Sequence, residues 1–417
     1  MKINRNICSC MIFFSFVFLF FVLSNHEAIG EEPVNIQSSD EVKIISNPKT
    51  PSPKDGVKIR IVFEKELSIG VEEGDENYMF GGRVYFNADD EGNIYVTDWD
   101  RKRIQKYDTQ GKYLLTIGRK GQGPGEFRNV FLPRFDKDKN LYVTDISNHR
   151  VHFFDKEGNF IKQISIPVGF SCQYINSKGV IIGTESRILK EDASGDEMAF
   201  IFGMFNDQIK LNTEIHRRKK EYRPRGNRSR AQFTADLWGE DAFKPEMSHF
   251  MNGDDFLYFG YPESYEIKIY NPEGKITKII KREYEAIKVS KKHKEKFEIF
   301  LEDEVFRFFP QDNSLKKDVF RLIEYPKYIP PYQQFTLMEN GWLAVIVDSI
   351  PGEYTLFDIF DQEGNYIAKF EALIPTENLF FKNGKAYALA TENDYRFVKR
   401  YRYEIQEYRD NKWVKKK

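Results

Sequence analysis

The side chains able to do chemistry are few and scattered. Beyond the first thirty residues the histidines are His149, His152, His216, His249 and His293, and none stands in an H-x-x-x-H or H-E-x-x-H spacing. A metal would therefore have to be gathered from distant parts of the chain. Two acidic triplets, Asp89-Asp90-Glu91 and Asp136-Lys137-Asp138, raise the question of calcium. Calcium takes about six or more oxygens from a rigid loop. These triplets lack the D-x-D-x-D-G order and differ from each other, so they read as solvated hairpin turns. Residues 121–127, GQGPGEF, resemble a phosphate loop only in their glycines, because a strand follows instead of a helix and no Lys-Ser/Thr pair closes the motif. Cys172 stands alone once the leading segment with Cys8 and Cys10 is set aside. It can form no internal disulfide, and with no base near it in sequence it reads as a small buried hydrophobe. No catalytic set, no metal site and no cofactor follow from these residues.

One charged stretch remains. Arg217, Arg218, Lys219, Lys220, Arg223, Arg225, Arg228 and Arg230 crowd residues 210–230. No aromatic residues interleave to stack bases, so a solvated loop or a docking patch for an acidic partner is expected, and not nucleic acid. The net charge of −1 supplies no overall field to attract a polyanion.

The elements that must position any site begin after a targeting segment. Lys2 and Arg5 precede an apolar run over residues 11–23, and Ala28-Ile29-Gly30 offers small residues for cleavage. Residues 1–30 read as a secretory signal peptide, the run being short for a membrane span. The expected location is outside the cytoplasm: periplasmic, cell-surface or extracellular. No membrane span is expected after the signal. Residues 31–56, with Pro33, Pro48, Pro51 and Pro53, read as a disordered tether.

From residue 57 onward the chain repeats. NIYVTDWDRKRIQKYDTQGKYLLTIG aligns without a gap on NLYVTDISNHRVHFFDKEGNFIKQI, placing Asp98 opposite Asp145 and Asp108 opposite Asp155. Each unit reads strand, turn, strand, turn, strand, turn, strand. Gly111 and Gly158 sit where a tight hairpin requires positive φ, and Gly274 and Gly364 return in the same setting. A degraded copy over residues 173–205 and a last copy from Asn378 bring the total to six. Aromatics at 15% suit pleated, packed strands. The expected fold is all-β, a six-bladed β-propeller over residues 57–417. The last copy lacks a fourth strand, and Glu66-Leu67-Ser68-Ile69-Gly70 resembles the fourth strand of the first copy. The N-terminal strand is therefore expected to complete the last blade and close the ring. Insertions are expected at about 206–247 and 281–323. The second holds one amphipathic helix over residues 290–309, in which Ser290 caps, Phe297, Leu301, Val305 and Phe308 recur at helical spacing, and Pro310 stops. Its Phe face is expected to pack on the disc.

These motifs carry a resemblance. D-x-x-x-x-R-I/V-x-x-Y/F-D over 98–108 and 145–155, with G-x-G-P-G-E-F before the second, resembles the NHL repeat. The wider pattern over residues 57–408, including the helix after the fourth blade and the segment from Tyr325-Pro326 to Pro330-Pro331, resembles bacterial secreted six-bladed propellers. The resemblance implies a binding or interaction scaffold, expected to act as a monomer on an unknown protein or small polar ligand at the channel mouth. The alternative it raises is a metal-dependent lactonase- or amidating-lyase-like enzyme. Such lyases hold a metal with histidines from several blades and gluconolactonase-like propellers hold calcium with acidic residues, and neither set can be matched here. Comparing the blades at the innermost strand, the positions that precede Asp98 and Asp145 by the same distance are Asn87 and Arg134. Gln173, Phe250, Thr336 and Leu379 align there in the weaker copies. Asn87, Arg134, Gln173 and Thr336 are expected to line the channel as a polar arc, with Arg134 the foremost ligand contact because a lone Arg in a channel needs a partner. Arg217, Arg218, Lys219 and Lys220 are the expected partner-binding residues.

Overall fold

The computed structural model describes residues 42–416, apart from 54–55, 193–194, 223–227, 240–242, 305 and 307–311. The signal segment and residues 31–41 lie outside the described residues, as do Val305 and Phe308. Six sheets succeed one another along the chain, with inner strands Val84–Ala88, Arg134–Phe135, Phe170–Ile175, Ser248–Met251, Gln334–Leu337 and Glu377–Lys382. Within each sheet the consecutive strands are antiparallel, so each blade is a meander.

The period-2 pattern explains how the blades stack. Successive side chains of a strand face opposite sides of the sheet, so every blade presents apolar side chains to both neighbours. One apolar cluster fills each seam. Tyr95, Phe127 and Phe154 join the first two blades, and Tyr142, Phe170 and Phe205 the second and third. Phe202 and Phe259 join the third and fourth, Tyr265 and Phe335 the fourth and fifth, and Phe357 and Phe381 the fifth and sixth. Phe86 of the first blade packs with Tyr387 and Leu389 of the sixth, which closes the ring. The fold is a six-bladed β-propeller.

Closure is as expected. Ile59–Ile69 pairs antiparallel with Tyr395–Arg409 as the outer strand of the sixth blade, Ile69 opposite Val398. The turn glycines also behave as expected: Gly111 has φ 77°, and a Cβ there would lie 2.9 Å from Leu67 Cδ1 of that closing strand.

Three expectations need correction. First, the described part of the tether is not irregular. Lys43–Asn47 adds a fifth strand to the fourth blade, parallel to Ile276–Arg282 with Asn47 opposite Arg282. Ser52 N–H then donates to Tyr366 O of the fifth blade at 2.8 Å. The N-terminal segment is thus a strap across the rims of the fourth, fifth and sixth blades, and it covers edges that would otherwise be open.

Second, most of the basic stretch is not a loop. Leu211–Tyr222 is the outer strand of the third blade, paired with Gly195–Phe205. Third, the insertions carry three helices among the described residues: α1 (Arg230–Gly239), α2 (Lys291–Glu304) and α3 (Asn313–Leu322). Asp312 caps α3 by accepting from Leu315 N–H at 3.0 Å. Leu301 of α2 does not pack its apolar face on the disc. It joins Ala231, Ala235, Leu315 and Val319 in a small helical core, because the three helices bury one another's stripes. No helix of the described residues is long and apolar enough to cross a membrane.

Candidate functional site

The acidic turns resolve into hairpin geometry. Asp89 Oδ1 accepts from Glu91 N–H and Asn93 N–H at 3.0 and 2.8 Å, and Asp136 Oδ1 from Asp138 and Asn140 at 2.9 Å each. These are Asx turns, which satisfy the backbone at the hairpin. The repeat aspartates are buried and hold the connector entering their own blade. Asp145 accepts from Arg128 N–H at 2.7 Å and Asn129 N–H at 3.0 Å, and Asp98 from Gly81 N–H at 3.4 Å. Among the described residues no three His, Cys, Asp or Glu side chains come together as a metal site.

The inner ring is where the expected site residues fall. Opposed residues of neighbouring strands share a face. Asn87 lies opposite Tyr95 and Arg134 opposite Tyr142. In the third blade the corresponding residue is Tyr174, opposite Ile182, because the register shifts between Cys172 and Tyr174. In the sixth it is Phe380, opposite Tyr387, and Leu379 faces the seam with the fifth blade instead. Asn87 and Arg134 reach toward the following blade. Phe380 likewise packs on Phe86 of the first blade, as a strand's side chains face the flanking blades.

Polar links cross every seam near this ring. Asn87 Nδ2 donates to Pro133 O at 3.0 Å, from the first blade to the second. The Arg134 guanidinium carbon stands 3.8 Å from the centre of the Tyr174 ring, from the second to the third. Tyr174 O–H reaches His249 O and Nδ1, both at 3.1 Å, from the third to the fourth. Phe335 N–H donates to Ser248 Oγ at 3.1 Å, from the fifth to the fourth. Gln334 donates to Thr376 O, and Asn383 to Asp89 O, to complete the circuit. The structure therefore joins Asn87 and Arg134 in one belt. Gln173 lies beside it, donating to Ser171 Oγ at 3.2 Å. Thr336 is 3% exposed and its Oγ1 has no partner among the described residues. Tyr174 was hidden from alignment by the shifted register, and His249 is the strand neighbour of Phe250, the residue that the alignment picks out in the fourth blade.

Arg134 differs from every other link. It is half-buried, and among the described residues its guanidinium makes the stack on Tyr174 and neither a hydrogen bond nor an ion pair. Burial pushes the His249 imidazole down to about 3, and the Arg134 charge pushes it the same way. Burial pushes the Cys172 thiol up to about 12 against the opposing field of Arg134, so the thiol is protonated and inert. Arg134 is the one charge that acts on both groups.

The expected partner-binding residues do not form one patch. Arg217 and Lys219 lie on one face of the Leu211–Tyr222 strand, and Arg218 and Lys220 on the other. Arg217 pairs with Glu214 at 2.7 Å and Lys219 with Glu197 at 3.4 Å. Charged residues along an outer strand also keep it from pairing with other chains.

A second polar cluster joins α2 to the fifth blade. His293 Nε2 lies 3.1 Å from both oxygens of Asp348, and Nδ1 lies 3.1 Å from Ser290 Oγ. The order Ser-His-Asp invites a nucleophilic reading. The backbone argues otherwise. Ser290 N–H donates to His293 Nδ1 at 2.9 Å, while Ser290 Oγ accepts from His293 N–H at 3.3 Å. That reciprocal pair is a capping box with His in place of Glu. The one lone pair of Nδ1 is held by an amide and cannot take the serine proton.

Comparison with known proteins agrees with this architecture. A family model, DUF5128, described as a 6-bladed beta-propeller, matches residues 86–172. No curated protein matches the chain. Among solved structures, the chain is similar to a Bacteroides fragilis protein described as exported, at 12% identity and TM-score 0.50, covering 87% of this chain and 99% of that one. It is also similar to a member of the DUF4221 family from Bacteroides vulgatus, at 11% identity and TM-score 0.49, covering 84% and 98%. Virginiamycin B lyase of Staphylococcus aureus is similar at 12% identity and TM-score 0.39, covering 83% and 99%. At these identities the likeness concerns the fold alone.

Proposed function

We propose that the protein is an exported binding scaffold that engages a small polar ligand at the inner ring, with Arg134 as its contact. One observation carries this reading: of the polar links around the ring, that of Arg134 alone leaves a cation's hydrogen-bond donors unmet among the described residues. The Arg134 nitrogens are not among the buried atoms without a partner, so they reach solvent, and a ligand's acceptor can take the place of water there. Export is supported by the basic start, apolar run and small-residue site of the first thirty residues, and by the description of the similar Bacteroides fragilis protein. The NHL-type reading of the repeat is supported by the way Asp98 and Asp145 fasten the connectors of their blades.

The test is a broad screen of neutral and charged metabolites by thermal shift, on wild type and Arg134→Ala. Ligands that stabilise the wild type and lose their effect in the variant support the reading. Ligands that stabilise both equally sink it.

A further inference from the structure

We infer that the inner-ring site takes a carboxylate-bearing small molecule, its carboxylate received by the free edge of the Arg134 guanidinium. This rests on the ligand-binding reading above and specifies its chemistry. Three observations select the class. The first is charge: Arg134 is the one charge acting on His249 and on Cys172, and burial keeps both of those groups neutral. A single positive charge balances a single negative one. A dianion would leave one charge uncompensated in a half-buried place.

The second is shape. One face of the guanidinium lies on the Tyr174 ring, with the Cζ-to-centroid distance at 3.8 Å. Stacking occupies a face and leaves the planar edge with its N–H donors, and that fork matches a carboxylate in bidentate fashion. The third is rigidity. Tyr174 is itself buried, and its O–H is committed to His249 at 3.1 Å. Tyr174 is therefore a positioning residue: it fixes the plane of the guanidinium before any ligand arrives, which lowers the ordering cost of binding. The thiol of Cys172 and the imidazole of His249, both uncharged, do not compete for the anion.

The probes are propionate, benzoate and succinate, the matched amides propionamide and benzamide, and inorganic phosphate. Binding is measured by calorimetry on the purified protein, on Arg134→Met and on Arg134→Lys. At least one carboxylate should bind the wild type, and its amide at least about tenfold more weakly, as loss of a charge-assisted hydrogen bond demands. Arg134→Met should lose at least about tenfold, and Arg134→Lys should fall between, because it keeps the charge and loses the fork. Carboxylate affinity should be flat between about pH 6 and 8, where both partners stay ionised. Tyr174→Leu should weaken binding while leaving the preference for carboxylate over amide intact.

Equal binding of acid and amide, still dependent on Arg134, overturns the carboxylate inference and leaves the ligand site standing. Phosphate binding tighter than every carboxylate does the same. Binding that ignores Arg134→Met overturns both. If none of the probes binds, the inference falls, and the broader screen alone decides the reading beneath it.

Discussion

Arg282 and Asp358 meet across the seam between the fourth and fifth blades, Nη1 donating to Oδ2 at 2.7 Å, and both side chains are buried. Asp358 also accepts from Tyr265 O–H and Tyr366 O–H at 2.7 Å each. Arg282 lies 4.3 Å over the Tyr366 ring and donates through Nη2 to Lys49 O of the strap at 2.9 Å. Burial pushes the Asp358 carboxyl up, and Arg282 opposes that rise. Removing one member of a buried pair strands the other, at a cost of about 3–5 kcal/mol. Urea unfolding should show that loss for Arg282→Met and again for Asp358→Leu. The double variant should be more stable than either single one. Additive losses would show that the two side chains are energetically independent.

One side-chain amide ties the strap to both the fourth and the fifth blade. Asn47 Nδ2 donates to Lys281 O at 3.0 Å and Gly364 O at 2.9 Å, and Oδ1 accepts from Tyr366 N–H at 2.7 Å. Asn47→Ala leaves a buried N–H and two carbonyls unmet, which costs about 1–3 kcal/mol for the donor alone. Limited proteolysis should then cut within residues 43–53 at a protease concentration that leaves the wild type intact. Unchanged resistance would mean that the strand pairing of Lys43–Asn47 suffices to hold the strap.

The blades were legible because two copies align without a gap and their glycine turns recur, which alone places Asn87 and Arg134 on inner strands. The strap was not. KIISN is short and half polar, prolines follow it, and its partner strand Ile276–Arg282 is more than half the chain away. The outer strand of the third blade escaped notice because charges occupy both of its faces, as suits an edge with no second sheet to cover it. Tyr174 was missed for a local reason. The irregularity between Cys172 and Tyr174 shifts the register by one, so counting from the repeat lands on Gln173, the neighbour that faces the other way.

Two histidines, His152 buried and His249 partly buried, make the fold sensitive to acid. His152 is fully buried among Phe127, Phe154 and Phe160, its ring nitrogens unpartnered among the described residues, and burial pushes it down to about 4. His249 is pushed down to about 3. In the unfolded chain both titrate near ~6.5. Between those values the unfolded state binds more protons than the folded one. Stability is therefore complete above about pH 7 and is lost as pH falls from ~6.5 toward 4. At pH 5 the loss is about 2 kcal/mol per histidine. His152→Phe should remove one share. The variant should unfold with a flatter pH dependence between 7 and 5, and be more stable at both ends, since the orphaned ring nitrogens disappear. Identical slopes for variant and wild type would exclude His152 as a source.

The helical unit is fastened where His293 meets Asp348. Asp348 also accepts from Ser349 N–H at 2.8 Å and Tyr354 O–H at 2.6 Å, and Lys296 Nζ donates to Ser349 O at 2.9 Å. If this cluster is a latch and a cap, Ser290→Ala should cost about 1 kcal/mol, the ordinary value of an N-cap. His293→Ala should cost more, because it removes the donor to a buried carboxylate. Hydrogen exchange in α2 should quicken in both variants, and most in His293→Ala. A serine-directed fluorophosphonate should leave Ser290 unmodified, because the Ser290 amide occupies the imidazole lone pair that would have to accept the hydroxyl proton. Stoichiometric labelling of Ser290, abolished by His293→Ala, would instead make the cluster a nucleophilic site.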